Sequence, residues 1–231
     1  MTTFVLVPGA WHGAWAWDLV VPLLGGATVV VPDQAGPDLR SHVEEVVGVL
    51  DAAGGPAGSP GGDDPARDVV LVGHSYAGLV VREAADRRPE RVRHIVLVDG
   101  WAGPDGANLF DLAPDVFETV IRSMAGPDGR IAPPAPDLFG IEDEVTARWL
   151  GTRLRSHPLA SFTERTRLTG AVDTIPGTGV FLRPQTFPFE RIAASVGYRP
   201  IGLDGPHDVM LTDPHALAAL LLTFRNEKPE E

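Results

Sequence analysis

Val69-Val70-Leu71-Val72-Gly73-His74-Ser75-Tyr76-Ala77-Gly78 opens with four aliphatic residues and closes with small residues around a serine. A short continuous apolar run of this kind predicts a buried strand, and the apolar spacing from Leu79 to Ala85 predicts a helix directly after it. A strand that turns sharply into a helix presents the residue at its tip to solvent. Small residues on either side of Ser75 suit a strained turn that neighbouring chains approach closely. Such a turn exposes the serine oxygen and sets the Tyr76 N–H at a helix N-terminus, where it can stabilise an oxyanion. The pattern G-x-S-x-G is met except at its last position, which Ala77 occupies. The competing reading is an ordinary buried turn serine.

The rest of the chain extends this rhythm. Phe4 to Val7, Ala27 to Val31 and Ile95 to Val98 read as further strands, and Val180 to Leu182 and Pro200 to Leu203 as short ones. Ser41 to Ala53 carries Val43, Val46, Val47 and Leu50 at amphipathic helical spacing behind a serine start signal. Trp15 to Leu24 reads as a short helix limited by Pro22, and His215 to Phe224 as a closing helix. Continuous apolar strands alternating with helices imply an α/β class, with a mostly parallel central sheet covered by helices on both faces. Two stretches break the pattern. Gly54 to Asp68, rich in Gly, Pro and Asp, reads as a mobile surface loop. Residues 101–174 hold helical patterns interrupted by Pro133, Pro134 and Pro136, which suggests a helical cap inserted within a single 1–231 domain.

Composition narrows the classes of function. At 231 residues the chain can bury a full core without staples. Its formal net charge of −12 argues against nucleic acid or anionic membrane as partner. The absence of cysteine excludes disulfides, thiolate catalysis and the common structural zinc sites. No apolar run approaches the ~20 residues that span a bilayer, and Met1 runs straight into an apolar strand with no signal peptide. A cytoplasmic protein is expected. Its partner should be a small-molecule substrate, a homodimer is open to it, neither nucleic acid nor membrane is expected as partner, and no metal or organic cofactor is implied.

Two further segments carry chemistry. Gly205-Pro206-His207-Asp208-Val209-Met210-Leu211 follows a strand and precedes the last helix. A serine needs a base to take its proton, and a neutral imidazole near pH 7 is the usual one. His207 is the histidine placed for that task. Among the others, His74 should pack beneath the turn and His12 lies in the loop after the first strand. His42, His94, His157 and His215 read as surface or locally satisfied residues. The second segment is Phe4-Val5-Leu6-Val7-Pro8-Gly9-Ala10-Trp11-His12-Gly13-Ala14-Trp15. Gly9 lets the backbone approach the serine, so that the Ala10 N–H can serve as the second oxyanion donor beside Tyr76. The alternative is an aromatic loop that simply packs, and Trp11, Trp15 and Trp17 can be packing residues under either reading.

Phe4 to Trp17, Gly73 to Val80 and Leu203 to Leu222 together resemble the α/β-hydrolase-fold branch that contains plant methyl esterases, hydroxynitrile lyases and their bacterial relatives. The likeness spans the sheet from end to end, while the cap matches only in kind. It implies the α/β-hydrolase fold and the chain order serine, acid, histidine. Three departures matter. Pro8 stands where the branch usually has His before Gly9. Asp208 and Gly9 stand where its hydroxynitrile lyases carry Lys and Thr, which favours esterase-type chemistry. The branch usually places its acid just after the penultimate strand, yet Val180 to Thr186 contains no carboxylate. Asp99, at the end of the strand following the serine's own, is the expected acid, as in some lipases of this fold. Glu190 is the weaker alternative, Asp204 lies close in sequence to His207, and Asp99 can also be read as a cap for the chain entering the lid.

The expected enzyme is a carboxylesterase-like hydrolase. Ser75 attacks an ester, thioester or lactone of a small hydrophobic substrate, His207 moves the proton, and Asp99 orients His207. Trp11, Trp101, Phe110, Phe117, Trp149 and Phe162 are the expected walls of an apolar pocket, or else part of the cap's own core. Two other classes remain open. One is a natural-product tailoring enzyme using the same Ser–His pair for C–C cleavage, cyclisation or rearrangement. The other is a non-catalytic small-ligand-binding module.

Overall fold

The six apolar runs form one sheet whose carboxyl edge carries Ser75, Asp99 and His207 and the loop that contains Ala10. The computed structural model describes residues 2–53 and 68–225. In chain order the described elements begin with β1 (Thr3–Val7), β2 (Thr28–Val30), α1 (Leu39–Ala53), β3 (Val69–His74), α2 (Ala77–Arg87) and β4 (Val92–Val98). They continue through α3 (Leu109–Leu112), α4 (Asp115–Ser123), β5 (Arg130–Ile131), α5 (Glu144–Gly151), β6 (His157–Pro158) and α6 (Ala160–Thr163). The last are β7 (Gly177–Arg183), α7 (Phe189–Ser195), β8 (Arg199–Asp204), α8 (Val209–Thr212) and α9 (Pro214–Thr223). The main sheet runs β2-β1-β3-β4-β7-β8, and every pairing in it is parallel. β5 and β6 form a separate antiparallel ladder.

Burial explains why these runs became strands. Phe4 to Val7, Val69 to Val72 and Ile95 to Val98 are almost fully buried, as a sheet covered on both faces requires. α1 and α2 pack against each other on the sheet, and α9 packs on the turn at Val21–Leu24. α1 starts two residues before the serine start signal. The Ser41 N–H donates to the Asp38 carboxylate (2.8 Å) and the Asp38 N–H to Ser41 Oγ (3.2 Å). Asp38 is therefore the cap, and Ser41 completes the reciprocal pair inside the helix. The Trp15 to Leu24 stretch forms two separate 3₁₀ turns, Ala14–Trp17 and Val21–Leu24, with Pro22 in the second. The stretch expected as a mobile loop lies, for residues 54–67, outside the described residues.

Between β4 and β7 the chain leaves the sheet through α3 to α6 and the β5–β6 ladder. Its return is tied to α2 by Asp86, which is nearly buried. That carboxylate accepts the N–H groups of Thr169 (2.7 Å), Gly170 (3.1 Å) and Val172 (3.0 Å). Burial pushes its pKa up, but these amides outweigh burial and hold it below the usual carboxylate value. Among the described residues no helix is long and apolar enough to cross a membrane.

Candidate active site

Ser75 is the first residue beyond β3 and sits in the left-handed region with φ of 53°. A non-glycine residue there is strained and persists only when its surroundings over-determine it. Three hydrogen bonds do so. Ser75 N–H donates to Val98 O (3.0 Å), and its carbonyl accepts the N–H groups of Gly78 (3.0 Å) and Trp101 (3.0 Å). Gly78 is required by the same crossing, because a Cβ there would meet the Trp101 carbonyl oxygen.

Asp99 is the first residue beyond β4 and is also left-handed, with φ of 43°. It is 1% exposed, and both carboxylate oxygens are engaged. Oδ1 accepts the Leu182 N–H (2.8 Å), and Oδ2 faces His207 Nδ1 at 3.0 Å. An ionised carboxylate only accepts, so Nδ1 bears the proton and Nε2 is left with a free lone pair. The sheet register explains the meeting. His74 pairs with Val98, which sets Ser75 beside Asp99, and β7 pairs with β4 on the other side. His207 reaches the group from the loop after β8, its ring 4.6 Å from that of His74 and stacked at 5.9 Å on Phe189. Glu190 is exposed on α7, and Asp204 is exposed and paired with Arg183 at 2.8 Å, so neither stands at the imidazole.

Ser75, Ala10, Tyr76 and His207 all line one cavity of about 300 Å³. Gly9 makes the approach of the first loop feasible, because a Cβ there would lie 2.8 Å from His74 Nδ1 and 3.1 Å from Ser75 Cβ. The Tyr76 side chain turns away from the reacting centre. Its hydroxyl lies 3.0 Å from His42 Nδ1, while His42 Nε2–H donates to Gly36 O (2.9 Å), so the hydroxyl is the donor to Nδ1. Burial keeps the pKa of His42 below its ordinary value.

Of the expected wall residues, Trp11, Trp101, Phe117 and Phe162 line this cavity. Phe110 and Trp149 do not. Phe110 stands behind Phe117 and Phe162 in an aromatic cluster, with the Arg122 guanidinium over its ring at 5.0 Å. Trp149 packs edge-on against Trp15 at 5.5 Å and carries Arg153 over its ring. An aromatic residue in a helical insertion can face the pocket or the insertion's own core, and periodicity alone does not tell which. The walls that sequence reasoning missed include Ile121 and Met124 at the end of α4, Phe139, and Phe187 and Phe189 at the start of α7. Phe187 and Phe189 alternate after β7, the one sequence signal available for them.

A second missed feature lies beneath the loop. His12, expected as a loop residue, and Asp208, noted as a departure from the lyases, are both fully buried side chains with His12 Nε2 2.9 Å from Asp208 Oδ2. His74 packs under the turn as expected, and its Nε2–H donates to His207 O (3.1 Å). Burial first, and then the neighbouring His207, hold His74 well below its ordinary pKa. His157 follows the locally satisfied of its two readings, buried with Ser161 Oγ 2.8 Å from its Nε2. Among the described residues no cluster could hold a metal ion.

Comparison with known proteins gives a consistent picture. The family model described as "Alpha/beta hydrolase family" matches residues 4–220. A carbendazim hydrolyzing esterase from Nocardioides sp. (strain SG-4G) is 26% identical over 96% of this chain and 98% of its own. Methylesterase 2 of Arabidopsis thaliana is 30% identical over 68% of this chain and 59% of its own. Among solved structures, an extracellular alpha/beta-hydrolase from a Paenibacillus species superposes with a TM-score of 0.84 at 22% identity. That match covers 98% of this chain and all of the other.

Proposed function

Because the chain belongs to the α/β-hydrolase family, we propose that it is a serine esterase acting on small, uncharged, hydrophobic esters, thioesters or lactones. Ser75 is the nucleophile and His207 the general base, with Asp99 holding the imidazole in the tautomer that leaves Nε2 free to take the serine proton. The N–H groups of Ala10 and Tyr76 receive the oxyanion of the tetrahedral intermediate. Collapse of that intermediate releases the alcohol, which takes its proton from His207. Water activated by the same imidazole then hydrolyses the acyl-enzyme. Residues 101–174 act as a cap that sets the shape of the acyl and alcohol sites within a single domain.

The observation that carries this reading is the 3.0 Å contact between Asp99 Oδ2 and His207 Nδ1, made at the rim of the cavity that also receives Ser75. The substrate class rests on the walls. Among the described residues no Asp, Glu, Lys, Arg, Asn or Gln lines the cavity, and Thr186 is the one further lining residue with a side-chain hydroxyl besides Ser75 and Tyr76, whose own hydroxyl is turned to His42. A charged group buried there away from His207 finds no counter-charge, and its desolvation goes uncompensated.

The test is intact mass after treatment with a fluorophosphonate, on the wild type and on Ser75→Ala. One adduct on the wild type and none on the variant is the expected result, followed by turnover of p-nitrophenyl esters of short and medium acyl chains. A wild type that takes up no adduct carries no activated serine and overturns the reading.

A further inference from the structure

The proposed mechanism leaves one buried ionisable pair unused. His12 and Asp208 have side chains fully shielded from solvent, and they join two loops that meet at the reacting centre. His12 Nδ1 lies 2.8 Å from the carbonyl oxygen of Ala10, and Nε2 lies 2.9 Å from Asp208 Oδ2. A carbonyl oxygen only accepts, so Nδ1 carries a proton. An ionised Asp208 accepts from Nε2, which makes His12 an imidazolium donating from both nitrogens. Asp208 is the residue after His207, and Ala10 is the proposed oxyanion donor. One side-chain chain therefore runs from the base's loop to the oxyanion loop.

The loop needs such a restraint. Trp11 has φ of 65°, a conformation strongly disfavoured for a bulky residue. Relaxation of that φ would turn the peptide between Ala10 and Trp11 and carry Ala10 with it, so that the Ala10 N–H, in the preceding peptide, would move away from the oxyanion. The carbonyl of the Ala10–Trp11 peptide is the group that His12 grips. The carbonyl of Trp11 is fixed separately, by the Arg155 N–H at 3.0 Å. We propose that His12 and Asp208 are positioning residues that lock the Ala10–Trp11 peptide so that the Ala10 N–H stays aimed at the developing oxyanion. The inference rests on the esterase reading above.

The surroundings favour the charged pair. His74 has Nε2 3.8 Å from Asp208 Oδ1, and its own burial favours its neutral form. Burial pushes His12 down, but the charge and hydrogen bond of Asp208, together with the bond to Ala10, outweigh it and raise its pKa. Asp208 is pushed up by burial and brought below its ordinary value by His12. His12 is thus pushed toward its charged form in a site where burial pushes His42, His74 and His157 toward the neutral form, which sets it apart from the other histidines around the cavity.

The experiment uses His12→Phe, which keeps an aromatic ring and removes both bonds, and His12→Asn, whose amide can still donate to Ala10 O. Each is compared with the wild type for p-nitrophenyl ester turnover and for binding of two ligands. One is an aryl trifluoromethyl ketone, which forms an oxyanion adduct with the serine, and the other is the matching methyl ketone, which does not. His12→Phe should lower kcat and trifluoromethyl ketone affinity in parallel, by about tenfold to a hundredfold, below the full loss of an oxyanion donor. KM and methyl ketone affinity should hold, and His12→Asn should recover part of the loss. If His12→Phe does not fold, Asp208→Asn serves in its place, with a parallel loss of about tenfold expected from removing the charge alone. Unchanged trifluoromethyl ketone binding overturns the proposal, and so does an equal loss for both ketones, which would mark a general structural defect. A wild type inert to fluorophosphonate defeats the esterase reading itself, a result distinguishable from a reactive wild type whose variants match it.

Discussion

Asp99 reaches from the end of β4 to the end of β7, where its Oδ1 accepts the Leu182 N–H at 2.8 Å. The segment after β7 supplies no carboxylate of its own, and Asp99 occupies the space from the neighbouring strand. The Leu182 amide fixes one oxygen, so the other is presented to His207 in a single orientation. A carboxylate held this way meets the imidazole in one geometry although it rises from β4 and not from β7.

Asp99→Asn should therefore lower kcat by about three to four orders of magnitude, with KM little changed. An amide in this position favours the imidazole tautomer whose Nε2 carries a proton and is no base. Glu190→Gln, on the exposed face of α7, should leave kcat within about twofold. Steady-state hydrolysis of a p-nitrophenyl ester decides it. A fully active Asp99→Asn, or a crippled Glu190→Gln, would return the acid's role to Glu190.

Gly9→Ala tests the closeness of the loop to the serine. The added Cβ would stand 2.8 Å from His74 Nδ1 and 3.1 Å from Ser75 Cβ. Neither neighbour is a flexible side-chain end, since His74 is wedged between His12 and His207 with ring centroids at 5.9 Å and 4.6 Å. The loop must retreat, taking the Ala10 N–H with it. A fall in kcat of about a hundredfold is expected, comparable to removing one oxyanion donor. Fluorophosphonate labelling should slow in step, while far-ultraviolet circular dichroism stays unchanged. Wild-type labelling rates in a folded variant would contradict the close approach.

The cavity walls predict selectivity against charge. For a pair of esters of equal size, one ending in a methyl group and one in a carboxylate, kcat/KM should differ by a hundredfold or more in favour of the first. That difference corresponds to about 3 kcal/mol, within the range for burying an uncompensated polar or charged group. Introducing a cation at the wall, as in Met124→Arg, should narrow the gap. Equal rates on both esters in the wild type would mean that the carboxylate stays in solvent and that the pocket does not enclose that end of the substrate.

The sheet and its carboxyl-edge residues were legible because each depends on a local signal: an apolar run, a sharp turn, a histidine after a strand. Ser75, Asp99, His207, Ala10 and Tyr76 all lie within two residues of a strand end or in the loop directly following one, so reading the strands placed them. The insertion between β4 and β7 was less legible. Phe110 and Trp149 carry the same aromatic character as Phe117 and Phe162, and only the packing of the insertion decides which pair faces the cavity. The pairing of His12 with Asp208 spans 196 positions, and a residue's burial beside a distant partner leaves no local trace. Ser41 shows a smaller version of the same limit. Its sequence signal marked a helix start correctly in kind but two residues late, because Asp38 is the better cap.

His94 predicts how the fold responds to acid. It is 8% exposed, stacks on Phe224 at 4.6 Å and lies 3.0 Å from Thr178 Oγ1 through Nε2. Burial, helped by Arg199 and Arg93, pushes its pKa down to about 4 from the ordinary 6.5. Between those values the unfolded chain binds a proton that the folded chain refuses, so stability rises with pH in this window and is lost as pH falls from 6.5 toward 4. A difference of about 2.5 pK units corresponds to as much as about 3 kcal/mol. His42, His74 and His157 are lowered too and act in the same direction, whereas His12, raised by Asp208, acts in the opposite one. His94→Gln removes one contributor and leaves the others. Urea unfolding at pH 7.0, 5.5 and 4.5 should give a shallower loss of stability toward acid for this variant, whatever its stability at pH 7.0. Parallel pH profiles for the two proteins would mean that His94 takes up its proton in the folded state as readily as in the unfolded one.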